Sequence, residues 1–360
     1  MNTKFIIRLY RDGEEKSIVG LLKSAFSVWD IKENSLDYWR WKYLDTPMGT
    51  DIVVAESERG IIAVSHNILL NIKVGDAMML SQFSCDVTTH NDYRGMGVFS
   101  GVVEYVEKLR SDKQVRLGYG ISSNPVVIKE WGKRGRFSFP HLTSIMVRIK
   151  DVDLHLKMRP MENSEFIRAG FKALSSLHRI RRTLKGQARR ENDLNLRSIT
   201  RFHDDNDVFF SLVQKDYDFL PEKSSFFLNW RYCDSRGGKF IVKQAVEGGA
   251  VLGYIAYQLV KTDEYPEGFI FDLLALPGRV DVIGALLEDA CKFFDDSKVN
   301  VIYYLVVKEH NYQAISVNHG FLDSRRSLYI TFQVIDASYE FEALRGSPSN
   351  RVYFSYCDML

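Results

Sequence analysis

The chain reads as an α/β protein of the α+β kind, built as two tandem domains of one design. Three observations predict this. Its 360 residues exceed what one hydrophobic core usually serves. Apolar periodicity over residues 1–150 gives the element order β-α-α-β-β-β-α-β-α-β. Residues 194–335 then repeat that order and share an aromatic signature with it, the mark of an internal duplication.

Residues 5–10 form a short strand that Asp12 and Gly13 end. An amphipathic helix follows over residues 14–26, with Ile18, Leu21, Leu22 and Phe26 on one face. Asn34 or Ser35 can cap a second helix, which carries Trp39, Trp41, Lys42 and Tyr43 and breaks at Pro47 and Gly49. Residues 51–56 and 61–74 read as strands around a turn at Gly60. Residues 79–87 alternate apolar and polar side chains, the pattern of a half-buried strand. The chain then turns through His90 and Asp92 into Arg94-Gly95-Met96-Gly97. Val98, Val102, Val103, Val106 and Leu109 follow at helical spacing. Residues 115–122 are a further strand, and Pro125 is suited to the first position of the next helix, which Gly135 closes. Residues 144–149 supply the last strand of this half.

Composition is ordinary for a globular chain, with 45% hydrophobic and 26% charged residues. A net charge of +2 creates no field that favours nucleic acid. Cys85, Cys233, Cys291 and Cys357 are scattered with no C-x-x-C pair, so neither a metal site nor a disulfide framework is expected. The N-terminus lacks the apolar core of a signal peptide, and no apolar run is long enough to span a bilayer. The expected location is the cytoplasm. Residues 151–193 read as a basic helical linker whose apolar face packs on a core. Contact of its basic face with anionic lipid or a phosphorylated substrate is the sharper alternative.

Strand, glycine turn and helix together make an anion site. The first turn of a helix leaves backbone N–H groups unpaired, and glycines let a diphosphate approach them. The stretch resembles motif A of the GNAT superfamily of acyl-CoA-dependent N-acyltransferases. Arg94 and Gly97 match that family's pyrophosphate turn, Gly95 fits its usual start, and Phe99 departs from its final small position. The resemblance implies mixed, mostly antiparallel sheets flanked by helices. It implies acetyl-CoA as co-substrate, held by Cys85, Val87, Arg94, Gly95, Met96, Gly97, Val98 and Phe99. Asn124 matches the family's motif B, whose helix packs beside the pantetheine arm. The acceptor is expected to be a small primary amine that attacks the thioester directly. Asp86 is the nearest carboxylate for a general base, with a substrate-orienting role standing equally beside it. Trp131 occupies the position that usually carries a tyrosine and cannot protonate a thiolate, which leaves Tyr119 as the best phenol. His90 reads as a turn residue, His66 as a structural histidine, and Trp39 and Trp41 as core residues bordering the acceptor pocket.

In the second half Trp230-Arg231-Tyr232 aligns with Trp41-Lys42-Tyr43, Gly238 with Gly49, and Ile241-Val242 with Ile52-Val53. Its counterpart of the glycine turn is Pro277-Gly278-Arg279-Val280, where a proline removes one donor. The first half is therefore expected to hold the coenzyme and the degenerate second half to help build the acceptor pocket. The tail over residues 336–360 is expected to add an edge strand through its alternating residues 352–356. Two other classes fit parts of the pattern. One is a tandem-fold aminoacyl transferase of cell-wall synthesis. The other is a non-catalytic acyl-CoA-binding module, which Phe99 and Trp131 favour.

Overall fold

Two mixed sheets flanked by helices carry the chain in the computed structural model, which describes residues 4–29, 34–122, 125–133, 137–138, 142–159, 194–328, 330–334, 344 and 346–359. The first half runs β1 (Phe5–Leu9), α1 (Glu15–Ala25), α2 (Ser35–Tyr43), β2 (Thr50–Ser57), β3 (Gly60–Val74), β4 (Ala77–Thr89), α3 (Val98–Asp112), β5 (Leu117–Ile121), α4 (Pro125–Lys133), β6 (Phe137–Ser138) and β7 (Thr143–Ile149). After α5 (Val152–Met158) the second half runs β8 (Asn195–Ile199), α6 (Asp204–Val213), β9 (Phe219–Pro221) and α7 (Ser225–Leu228). It continues with β10 (Ile241–Glu247), β11 (Ala250–Val260), β12 (Glu267–Ala275), α8 (Val280–Asp296), β13 (Val301–Val307), α9 (Asn311–Asn318), β14 (Leu322–Asp323) and β15 (Ile330–Val334). Of the basic linker, residues 160–193 lie outside the described residues, as does Gly135.

Alternation along β2 sets the layers of the first half. Ile52 and Val54 pack with Ile18 and Leu22 of α1 and Trp39 of α2. Val53 and Ala55 point the other way, against Val98, Val102 and Val106 of α3. In the second half Val282, Leu286, Leu287 and Phe294 of α8 bury one helix face on the strands beneath.

The two halves exchange their last strands. The strand order is β1-β2-β3-β4-β5-β15-β6 in one sheet, with β9 on β3, and β14-β7-β13-β12-β11-β10-β8 in the other. The sequence pattern puts β7 at the end of the first half. It instead pairs antiparallel with β13, from Val301↔Ile149 to Val307↔Thr143. β15 fills the place beside β5, from Ile330↔Ile121 to Val334↔Leu117. The seam between the sheets is itself a core, in which Ile72, Phe83 and Tyr119 meet Leu305, Phe332 and Phe354.

Among its described residues the tail adds no regular edge strand. Val352 makes one isolated parallel bridge with Phe219, and short helical turns occupy Ser349–Arg351 and Tyr356–Met359. The reason is burial on both sides: Val352, Tyr353 and Phe354 are all buried, so the segment fills space within the fold instead of presenting one face. Lys223 anchors it. Its ammonium is fully buried, 2.6 Å from Asp358 and 3.3 Å from Asp272.

An aromatic pair joins the repeats. The indoles of Trp41 and Trp230 stack with centroids 5.1 Å apart and planes 20° from parallel. Trp41 Nε1 donates to the Trp230 carbonyl at 2.9 Å, and Trp230 Nε1 donates to the Trp41 carbonyl at 3.0 Å. Each polar edge of a buried indole is thus satisfied by the other repeat. Gly237 makes room for the pair, since a Cβ there would lie 2.3 Å from Trp41 Cζ2. Gly237→Ala should therefore cost about 1–3 kcal/mol of stability through overpacking. Urea unfolding measures it, and an unchanged midpoint would mean that the indole has room to move.

Candidate active site

The site begins where two parallel strands part. β4 and β5 pair from Ser81↔Leu117 to Ser84↔Gly120, and the pairing stops there. On its other side β4 carries a bulge, because Cys85 sits opposite His66 and Thr88 opposite Val64. Asp86 and Val87 have no registered partner on either flank. A bulge leaves its extra residue off the ladder and re-aims side chains. Asp86 takes the strained left-handed conformation, φ 43°, that the bulge demands.

The glycine turn stands just beyond. Gly95 and Gly97 have φ of 77° and 81°, a region costly for other residues, and open space surrounds both Cβ positions. Gly97 caps α3 and has no side chain to bond there, and no side chain among the described residues hydrogen-bonds the first N–H groups of the helix. Arg94, Gly95, Met96 and Gly97 are exposed, Val98 is buried as the first core residue of α3, and Phe99 is half-buried. Arg94 Nε donates to the Thr89 carbonyl at 3.3 Å, which sets the arginine beside the turn. These residues fit a diphosphate: exposed donors, a helix N-terminus and one guanidinium. Asn124 lies outside the described residues, and Trp131 of α4 is buried.

The counterpart in the second half is built differently. Gly278 is also left-handed, at φ 76°. Arg279, however, is held by Glu247 at 3.1 Å and by Asp281 at 2.7 Å. A diphosphate there would meet two carboxylates and a neutralised arginine.

Asp86 opens onto a cleft of about 270 Å³ between the halves. Trp29, Tyr38, Lys42 and Asp86 line one wall, and Arg231, Phe271, Tyr356 and Met359 line the other. Lys42 Nζ lies 2.9 Å from Asp86 Oδ2, and the Tyr43 hydroxyl donates to the same oxygen. Burial opposes ionisation of Asp86, but the Lys42 ammonium and the Tyr43 hydroxyl outweigh it and hold its pKa below the usual aspartate value. Burial likewise opposes the charge of Lys42, and Asp86 overcomes it and raises the lysine pKa. A carboxylate so stabilised is a poor proton acceptor, so its geometry supports the orienting role over that of base.

His66 completes the wall behind. Its Nε2 accepts from Trp39 Nε1 at 3.0 Å, which puts the proton on Nδ1, 3.3 Å from the Asp86 carbonyl. Burial drives its pKa down to about 3, so it is a neutral, structural imidazole. Burial also pushes the Cys85 thiol up to about 12, which leaves it protonated. His90 is exposed on the turn, and its ring accepts from the Asp92 N–H. Among the described residues no helix is long and apolar enough to cross a membrane.

Tyr119 is not in the cleft lining. Its ring is fully buried, stacked on Phe83 at 4.8 Å and Phe332 at 5.6 Å, and its hydroxyl donates to the Asp358 carbonyl at 3.0 Å. Burial raises its pKa well above that of a free phenol. This placement argues for a core phenol and against the expected acid. Sequence reasoning instead missed Lys42 and Arg231 as site residues, although the aligned Trp-Lys-Tyr and Trp-Arg-Tyr triplets were the signal that pairs them.

Asp86→Asn tests which role the carboxylate has. It leaves Lys42 buried without its counter-ion and should cost about 3 kcal/mol of stability. Adding Lys42→Met should restore much of that, because asparagine tolerates the left-handed backbone and no charge is left unpaired. Stability from Asp86 should be present above the ordinary aspartate pKa and be lost as pH falls through its lowered folded value. An Asp86→Asn protein as stable as the parent, yet without activity, would restore the base.

The fold is shared with proteins of known structure. Residues 6–132 match the family model for the acetyltransferase (GNAT) domain. A comparison with curated proteins finds no match. Among solved structures, a probable N-acyltransferase of unknown function from Enterococcus faecalis aligns with TM-score 0.63 at 10% identity, covering 93% of this chain and 73% of its own. A GCN5-related N-acetyltransferase from Anabaena variabilis gives 0.62 at 10% identity, with coverage of 92% and 73%. The Saccharomyces cerevisiae N-myristoyltransferase with bound myristoyl-CoA gives 0.59 at 9% identity, with coverage of 91% and 82%. At such identities these likenesses speak for the fold, while residues 6–132 by themselves carry the match to the acetyltransferase (GNAT) domain.

Proposed function

We propose that the chain is an acyl-CoA-dependent N-acyltransferase with one coenzyme site, in the first half, and an acceptor cleft between the halves. The observation that carries the reading is the exposed turn at the head of α3, where Gly95 and Gly97 open uncapped N–H groups next to Arg94. The splay of β4 and β5 supports it, since acyl-CoA supplies a thioester and the unpaired backbone at Asp86 and Val87 can polarise its carbonyl. A primary amine reaching that carbonyl through the cleft forms the amide as the thiolate leaves. Its surplus proton passes to solvent, because no unpaired base among the described residues lines the cleft. Acetyl is the acyl group proposed first. The mixed aromatic and charged lining suits a small amine. The coenzyme turn favours this reading over a transferase that draws aminoacyl groups from tRNA.

Gly97→Glu should abolish acetyl-CoA binding. A carboxylate about 4 Å from a phosphate at an effective dielectric of about 20 costs about 4 kcal/mol, roughly a thousandfold in affinity. Gly97→Ala carries the same left-handed backbone cost without the charge and should lose far less. Gly278→Glu should leave affinity intact, and the parent should titrate with one site per chain. Calorimetry with acetyl-CoA reads all of these. Equal binding by parent and Gly97→Glu, or two equivalent sites, would overturn the site. Binding with no thiol release against any amine would make the chain a sensor instead of an enzyme.

A further inference from the structure

Among the described residues three charged side chains line the cleft: Lys42, Asp86 and Arg231. Lys42 and Asp86 neutralise each other. Arg231 is 6% exposed, and its Nε is buried with no hydrogen-bond partner. Among the described residues it makes no ion pair. Aromatic faces surround it, with its Cζ 5.2 Å from the ring centre of Phe240, 5.4 Å from Tyr232, 5.5 Å from Phe271 and 5.9 Å from Trp41. Those rings attract the cation but offer its five N–H groups no lone pairs. Burying a cation without an anion is costly unless something else meets it.

The repeat sharpens the point. Lys42 and Arg231 occupy equivalent positions beside the stacked indoles, and among the described residues only the lysine has a carboxylate partner. The helix bearing Arg231 also widens into a π-helical turn over Asn229–Cys233, a distortion that often marks a functional residue. We propose that Arg231 binds a carboxylate on the acceptor, so that the acceptor is an amine and a carboxylic acid in one molecule, of amino-acid size or slightly larger. The planar guanidinium matches a carboxylate in two-point geometry. One excess positive charge in the lining balances a monoanion, which favours carboxylate over a doubly charged phosphate. The aromatic walls would cover an apolar side chain. This inference rests on the acyltransferase reading and adds the acceptor class to it.

Matched pairs differing only in the carboxylate test it: leucine against 3-methylbutylamine, and phenylalanine against 2-phenylethylamine. Thiol release by the full chain is followed with acetyl-, octanoyl- and myristoyl-CoA. The parent should prefer each acid over its amine by about 100-fold or more in kcat/KM. Arg231→Met should bring that ratio to within about threefold of unity, with acetyl-CoA affinity unchanged by calorimetry and folding checked by thermal melting. Arg231→Lys keeps the charge without the fork and should lower the ratio by about tenfold. It decides the question should Arg231→Met fail to fold. If acetyl-CoA binds but no acid outpaces its amine, including the case of no turnover of any acid, the carboxylate proposal fails and the coenzyme site stands. A preference unchanged by the Arg231 variants also sinks it. Failure to bind any acyl-CoA overturns the acyltransferase reading itself.

Discussion

The stack of Trp41 on Trp230 is the contact from which the site takes its shape. The indoles occupy equivalent places in the two repeats, and each donates its N–H to the other's carbonyl. Neither repeat can satisfy its own tryptophan, so the pair fixes how the halves meet. The next residue in each repeat is a cation, and both cations line the cleft between the halves. A core interaction thereby positions two charged groups that neither sheet would place alone. Low-dielectric surroundings make each of those charges consequential.

From that pseudosymmetric frame the halves diverge by small chemical changes. One keeps two glycines, an arginine that makes no ion pair among the described residues, and a helix start capped by a glycine. The other keeps a glycine but ties its arginine to Glu247 and Asp281. One cation is matched by Asp86, and among the described residues the other meets aromatic faces without a counter-ion. The two sheets are similar scaffolds. Charge placement leaves the turn of one half open and closes that of the other with carboxylates.

Much of this was legible in the sequence. Periodicities of two and near 3.6 located most strands and helices to within a few residues, because one-sided burial imposes them. Gly95 and Gly97 marked an open turn beside a helix start, and the structure gives both a left-handed backbone there. The exchange of β7 and β15 was not legible, because strand periodicity records which face is buried and not which sheet buries it. The tail misled for a related reason. Residues 352–356 alternate like a strand, yet Val352, Tyr353 and Phe354 are all enclosed. Tyr119 looked available as an acid, but the side to which a strand residue points, and what lies there, is set by tertiary packing. Arg231 could be aligned with Lys42, whereas its lack of a counter-ion depends on partners far away in sequence.

The strand exchange also gives the fold a direction in time. β5 lies at residues 117–121, yet its neighbour β15 lies at residues 330–334. During synthesis the first sheet must wait for more than half of the chain before that edge is closed. Until then it presents unpaired N–H and C=O groups, the kind of edge that recruits strands from other molecules. The same contact is long-range in sequence, so it forms late and slowly. The two halves are thus one cooperative unit in assembly as well as in the finished structure. The glycine turn at Gly95 and Gly97, placed early in the chain, gains its complete sheet only when the second half has been made.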